Sequence, residues 1–129
     1  MLPIQSTLTR SVFSGAIVAS LVFASAAWGQ AAPRSFVASP DVYKIVTQDN
    51  LYMVIEATWA PGQGDKPHSH PHHARYFLNN CSLRATLSDG SHSDLFVRAG
   101  GAVVRGSVEV VSLENIGSSA CTMIFFEPK

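Results

Sequence analysis

Four of the five histidines in this chain stand within six residues: His68, His70, His72 and His73. Neutral imidazole is a strong ligand for first-row transition metals, so a crowd of them is a candidate for holding one divalent ion. If the segment is a strand, side chains at i and i+2 share a face about 6–7 Å apart. His68 and His70 then point the same way and both reach one ion. The competing reading is a solvated loop end that picks up metal adventitiously. The fifth histidine, His92, follows a hairpin turn and reads as exposed. Other chemistries find less support: no Ser-His-Asp or Cys-His arrangement can be assembled, and Gly100-Gly101 reads as a turn between strands rather than a phosphate loop.

These residues must be positioned by a small domain. The 129 residues carry nine basic and nine acidic side chains, for a net charge of zero. Phosphate backbones demand a basic excess, so nucleic acid is not an expected partner. Residues 11–29 (SVFSGAIVASLVFASAAWG) hold no charge, follow Arg10 and end in small residues. A basic start, an apolar centre and a small-residue exit are the parts of a secretory signal. Residues 1–31 are therefore read as a signal peptide, cut before Gln30 or before Ala32, and the mature chain as periplasmic or secreted with no membrane attachment after cleavage. An uncleaved anchor is the other reading, opposed by the Ser and Gly content of the run.

Residues 32–41 hold two prolines and read as an extended lead-in; residues 42–129 read as the folded domain. A domain of about 100 residues has a limited core, and a staple helps it. Cys81 and Cys121 are the only cysteines. An even count in an oxidising compartment favours a disulfide, closing a loop of about 40 residues worth roughly 3–4 kcal/mol in the chain-entropy description. Two buried free thiols are the alternative.

About eight short strands follow one another, at 43–47, 51–59, 75–78, 82–87, 94–98, 102–105, 108–113 and 122–126. Leu83, Ala85 and Leu87 mark an inner face, and Asp89-Gly90 is a strong hairpin signal with Asp89 and Asp94 shaping the turn. No mature segment keeps a helical period over ten residues or more. The fold class is all-β, a sandwich or barrel.

The spacing Gly62-x5-His68-x-His70, the turn Ala60-Pro61-Gly62 before it and the strand Tyr76-Phe77-Leu78 after it resemble the first motif of the cupin superfamily. Gly100 and Asn115 stand at the two ends of the second motif, and the resemblance covers residues 41–128. It implies one small antiparallel β-barrel of the jelly-roll type, and Fe, Mn, Zn, Ni or Cu held by three His and one Glu. Two of those four ligands depart from the pattern. The Glu position falls at Ala74 or Arg75, with His73 nearest if the register is set from Tyr76-Phe77-Leu78, and the third His falls at Val111. Gly106 and Val108 replace the motif's Pro and second Gly.

Three outcomes stay open. The site holds metal through His68 and His70 with His72 or His73 as substitute, and with Glu109, two residues before Val111 and so on its face. Or the barrel is a pocket for an apolar small molecule. Or it is a structural module, a homodimer formed sheet edge to sheet edge as the resemblance implies. A metal-dependent oxygenase, isomerase or lyase is the enzyme alternative and needs an open coordination position. Trp59 and Tyr76 are candidate pocket-lining residues, though such residues are more often simply core. Arg75 binds a carboxylate if it faces inward and is a surface charge if it faces outward.

Overall fold

The computed structural model describes residues 31–129; the segment read as an export signal lies outside the described residues, apart from its final residue, Ala31. The chain runs α1 (Ser35–Ala38), β1 (Tyr43–Gln48), β2 (Tyr52–Trp59), β3 (His68–His70), β4 (His73–Phe77), β5 (Cys81–Leu87), β6 (His92–Val97), β7 (Ala102–Arg105), β8 (Val108–Asn115) and β9 (Cys121–Pro128). Two antiparallel sheets result, in the orders β1-β2-β9-β4-β7 and β3-β8-β5-β6. The fold is all-β, as the strand pattern predicts.

Period-two alternation places the core. On β2, Met53, Ile55, Ala57 and Trp59 are buried; on β9, Cys121, Met123 and Phe125; on the second sheet, Leu83, Val111 and Leu113. All belong to one apolar cluster between the sheets, since side chains of alternate residues leave a strand on the same face. Cys81 on β5 and Cys121 on β9 form the expected disulfide across the two sheets.

Gly62 and Asn115, the motif positions, meet: the Gly62 N–H donates to Asn115 O at 2.9 Å. Gly62 has φ +76°, a backbone state that costs residues with a Cβ. The Asn115 amide donates to Trp59 O and Ser119 O and accepts from Gly117 N–H. Asn115 is thus the clasp of the β8–β9 turn.

The lead-in differs from its extended reading. Residues 35–38 form one helical turn, in which Arg34 O accepts the N–H groups of Val37 and Ala38. A single turn leaves no periodic trace in sequence. The segment before it docks along β3: Ser69 N–H donates to Pro33 O, and its hydroxyl to Ala32 O. β3 itself is the ninth strand, beyond the eight expected.

Candidate metal centre

β3 and β4 carry the imidazoles inward. His68, His70 and His73 are all buried, at 0, 5 and 5% exposure. His68 and His70 share a face because they are two apart on a strand. His73 joins them from β4 after Pro71 and His72 turn the chain, and that turn leaves His72 exposed, away from the cluster.

Each ring is anchored on one side. His68 Nδ1 lies 2.7 Å from Lys66 O and His73 Nδ1 lies 2.8 Å from Pro71 O. A carbonyl only accepts, so both nitrogens carry a hydrogen and both Nε2 atoms carry a lone pair. His73 Nε2 is buried and has no hydrogen-bond partner among the described residues. His68 Nε2 lies 2.9 Å from His70 Nε2, and His70 Nδ1 lies 2.5 Å from Glu127 Oε1. Along the row Lys66–His68–His70–Glu127 there are therefore three polar contacts, while two neutral imidazoles bring two ring protons. One contact is short of a proton.

Glu127 was not foreseen. It is fully buried on β9 and, with His70 and His73, offers a donor set whose atoms lie within 4.8 Å of one another. Its other oxygen accepts from Arg34 at 2.7 Å. Burial pushes the Glu127 carboxyl up, but the His70 hydrogen bond and charge and the Arg34 guanidinium outweigh it and hold the group below the usual carboxylate value. Burial likewise holds the His68 and His73 imidazoles below their ordinary value, with Asp65 opposing the shift at His68. Such groups are neutral where a free imidazole begins to charge, which is the state a ligand needs. The sequence signal for Glu127 is alternation: Cys121, Met123 and Phe125 face inward, and the next odd position is 127.

Glu109 is a correction. It is exposed and lies outside the cluster. His68 pairs with Val111 but His70 pairs with Val108, so β8 spends three residues where β3 spends two. That bulge puts Glu109 out of phase with Val111. Val111 itself is buried opposite His68. Trp59 takes its core alternative: it is fully buried, with its Nε1–H donating to Asp65. Tyr76 is 42% exposed on the outer face of its sheet. Arg75 faces inward with His73 and Phe77, lying over the Phe77 ring at 5.8 Å. Its guanidinium is pushed down to about 10 by burial and by Arg105.

Behind His68 a second network is closed. Asp65 accepts from Tyr43 OH at 2.7 Å, from Trp59 Nε1 at 3.2 Å and from Leu113 N at 2.7 Å. Burial raises its carboxyl above the usual range. In front of His70 and His73 a cavity of about 420 Å³ opens between the sheets.

The jelly-roll fold defines a class, and solved structures share that fold. A cupin domain from Bordetella pertussis Tohama I superposes with a TM-score of 0.62 at 15% identity, over 78% of this chain and 99% of that one. A double-stranded β-helix protein from Klebsiella pneumoniae gives 0.55 at 19%, over 67% and 75%. The polyketide cyclase RemF from Streptomyces resistomycificus gives 0.52 at 20%, over 67% and 63%. No family model matches the chain, and no curated protein matches it in sequence. The fold is that of the cupins.

Proposed function

We propose that this protein is an exported cupin that holds one divalent transition-metal ion, Fe, Mn, Zn, Ni or Cu, through His70, His73 and Glu127. His68 orients His70 by accepting its Nε2–H, and Arg34 balances the charge of Glu127. The observation that carries this is the buried donor set of His70, His73 and Glu127, whose ligand atoms lie within 4.8 Å of one another, with the His73 Nε2 unpartnered among the described residues. A cation held between these donors would also stand in for the proton that the row from Lys66 to Glu127 is short of. When bound, the ion would act as a Lewis acid toward a molecule in the adjoining cavity. An enzyme reading (oxygenase, isomerase or lyase) draws its support from that cavity, because a ligand can approach the cluster from there.

Export is supported by the signal-like residues 11–29 and by the disulfide, which persists in oxidising compartments. Among the described residues no helix is long and apolar enough to cross a membrane. The homodimer remains part of the proposal, supported by an outward row across the larger sheet: Val54, Phe126, Ala74 and Val104 stand side by side, with Val104 66% exposed.

The test is metal content by plasma mass spectrometry on the untagged, mature protein, isolated without strong chelator. Near-stoichiometric metal in wild type and loss in His70→Ala/His73→Ala is expected. Background metal, with no thermal shift on adding Mn, Fe, Ni, Cu or Zn, refutes the metal centre.

A further inference from the structure

The cavity in front of the cluster has its own chemistry. Its walls are apolar: Leu83, Leu95, Val108, Val111 and Leu113 from the second sheet. Its rim carries Arg75 on β4 and Arg105 on β7. The one carboxylate in the lining, Asp94, is already taken, since Arg84 grips it with two hydrogen bonds at 2.8 and 3.0 Å. Arg75 is different. Its Nε is buried and has no partner, and no carboxylate pairs with it among the described residues. A guanidinium presents a fork of donors that matches a carboxylate, and leaving buried donors unfilled is costly. Phe77 occupies the face of Arg75 and leaves the edge for a ligand.

We infer that this cavity is the binding site of a small organic carboxylate, whose anionic end is held by Arg75 and Arg105 and whose apolar body lies against the leucine and valine wall. The other end of the ligand then reaches His70 and His73. This deepens the metal reading and rests on it only at that far end, because the Arg75 contact stands on the cavity alone. The volume, about 420 Å³, lies within the range of small-molecule pockets. The apolar wall sets the class: inorganic anions would satisfy the arginines but leave that wall wet. A neutral ligand would fill the wall but leave the guanidinium unpaired.

Calorimetric titration of the mature protein with hexanoate, hexanamide and sulfate tests it. Hexanoate should bind, and hexanamide and sulfate should bind at least about tenfold more weakly, the loss of one charge-assisted hydrogen bond or of the apolar contact. Arg75→Met should cost hexanoate about tenfold or more, and Arg75→Lys should recover only part of it. Arg105→Met, at the more exposed arginine, should cost less and serves as the readout if Arg75→Met does not fold. Equal binding of hexanoate and hexanamide, equal binding of sulfate, or hexanoate binding untouched by both arginine changes overturns the inference. Repeating the titration on chelator-treated protein separates the two proposals. Arg75-dependent binding without metal leaves the anion site standing where the metal centre has failed, and metal uptake without carboxylate binding does the reverse.

Discussion

The two sides of the imidazole row are built on opposite terms. Behind His68, every polar atom of Asp65 is spoken for by Tyr43, Trp59 and the Leu113 amide. In front of His70, His73 Nε2 and Arg75 Nε are buried without partners. Buried polar groups in folded proteins are nearly always paired, and a closed network rigidifies while an open one is a place where something is meant to bind. The Asp65 side therefore sets the shape of the row, and the His73–Arg75 side is where the proposed ligands would be held. Both sides face the same core, so the difference comes from which acceptors the neighbouring strands deliver.

Removing Asp65 should have the largest effect on stability. Asp65→Ala leaves Trp59 Nε1–H and Leu113 N–H buried and unpaired, at about 1–3 kcal/mol each, and leaves the Tyr43 hydroxyl only His68 Nε2 at 3.2 Å, so a loss of about 3–5 kcal/mol is expected in guanidinium unfolding. A variant as stable as wild type would break the contrast outright. Cys81→Ala/Cys121→Ala tests the same core from outside the network. A loss of roughly 3–4 kcal/mol is expected from the 40-residue separation, with metal uptake retained by the molecules that fold.

Acid should act more gently, through the imidazoles. His68 and His73 are held below 6.5, the ordinary imidazole value, so below that pH the unfolded chain binds protons that the folded chain still refuses. Stability then falls as pH drops from about 6.5 through the folded-state values, and Tm followed by circular dichroism should decline across that window. Asp65, with its raised carboxyl, has the opposite slope, but only nearer the ordinary carboxylate range. The smallest stability effect belongs to His73→Leu. It removes a buried nitrogen with no partner along with the Nδ1–H bond to Pro71 O, and the two effects oppose each other, so stability should change by no more than about 1 kcal/mol and the acid slope should shrink. Metal uptake should nevertheless drop by about tenfold or more, the scale of losing one ligand contact. If His73→Leu unfolds the protein instead, the front side is structural and the contrast is lost.

The parts of this arrangement visible in sequence are those governed by alternation and spacing. His68-x-His70 on one face could be read from strand alternation, and the Gly62 and Asn115 positions from the resemblance to the cupin motifs. Glu127 obeys the same alternation rule, but it lies one residue beyond the expected strand 122–126, whereas β9 runs on to Pro128. Glu109 and Val111 show the limit of the rule. The residue that throws Glu109 outward is a bulge set by pairing with β3, and pairing is not written in either strand alone. Arg75 could be placed only once β4 had a sheet to face. His73 entered the cluster by way of Pro71, whose carbonyl holds its ring.

Glu127 sits on β9, 57 residues after His70, and 93 after Arg34. A chain emerging from a ribosome or threading a translocation pore in N-to-C order thus displays imidazoles long before it possesses the carboxylate and the strand that bring them together. Contacts of such long range form late and slowly. On the proposed reading, metal capture by this set of ligands would be an event of the finished domain, and an ion met earlier would find only scattered side chains.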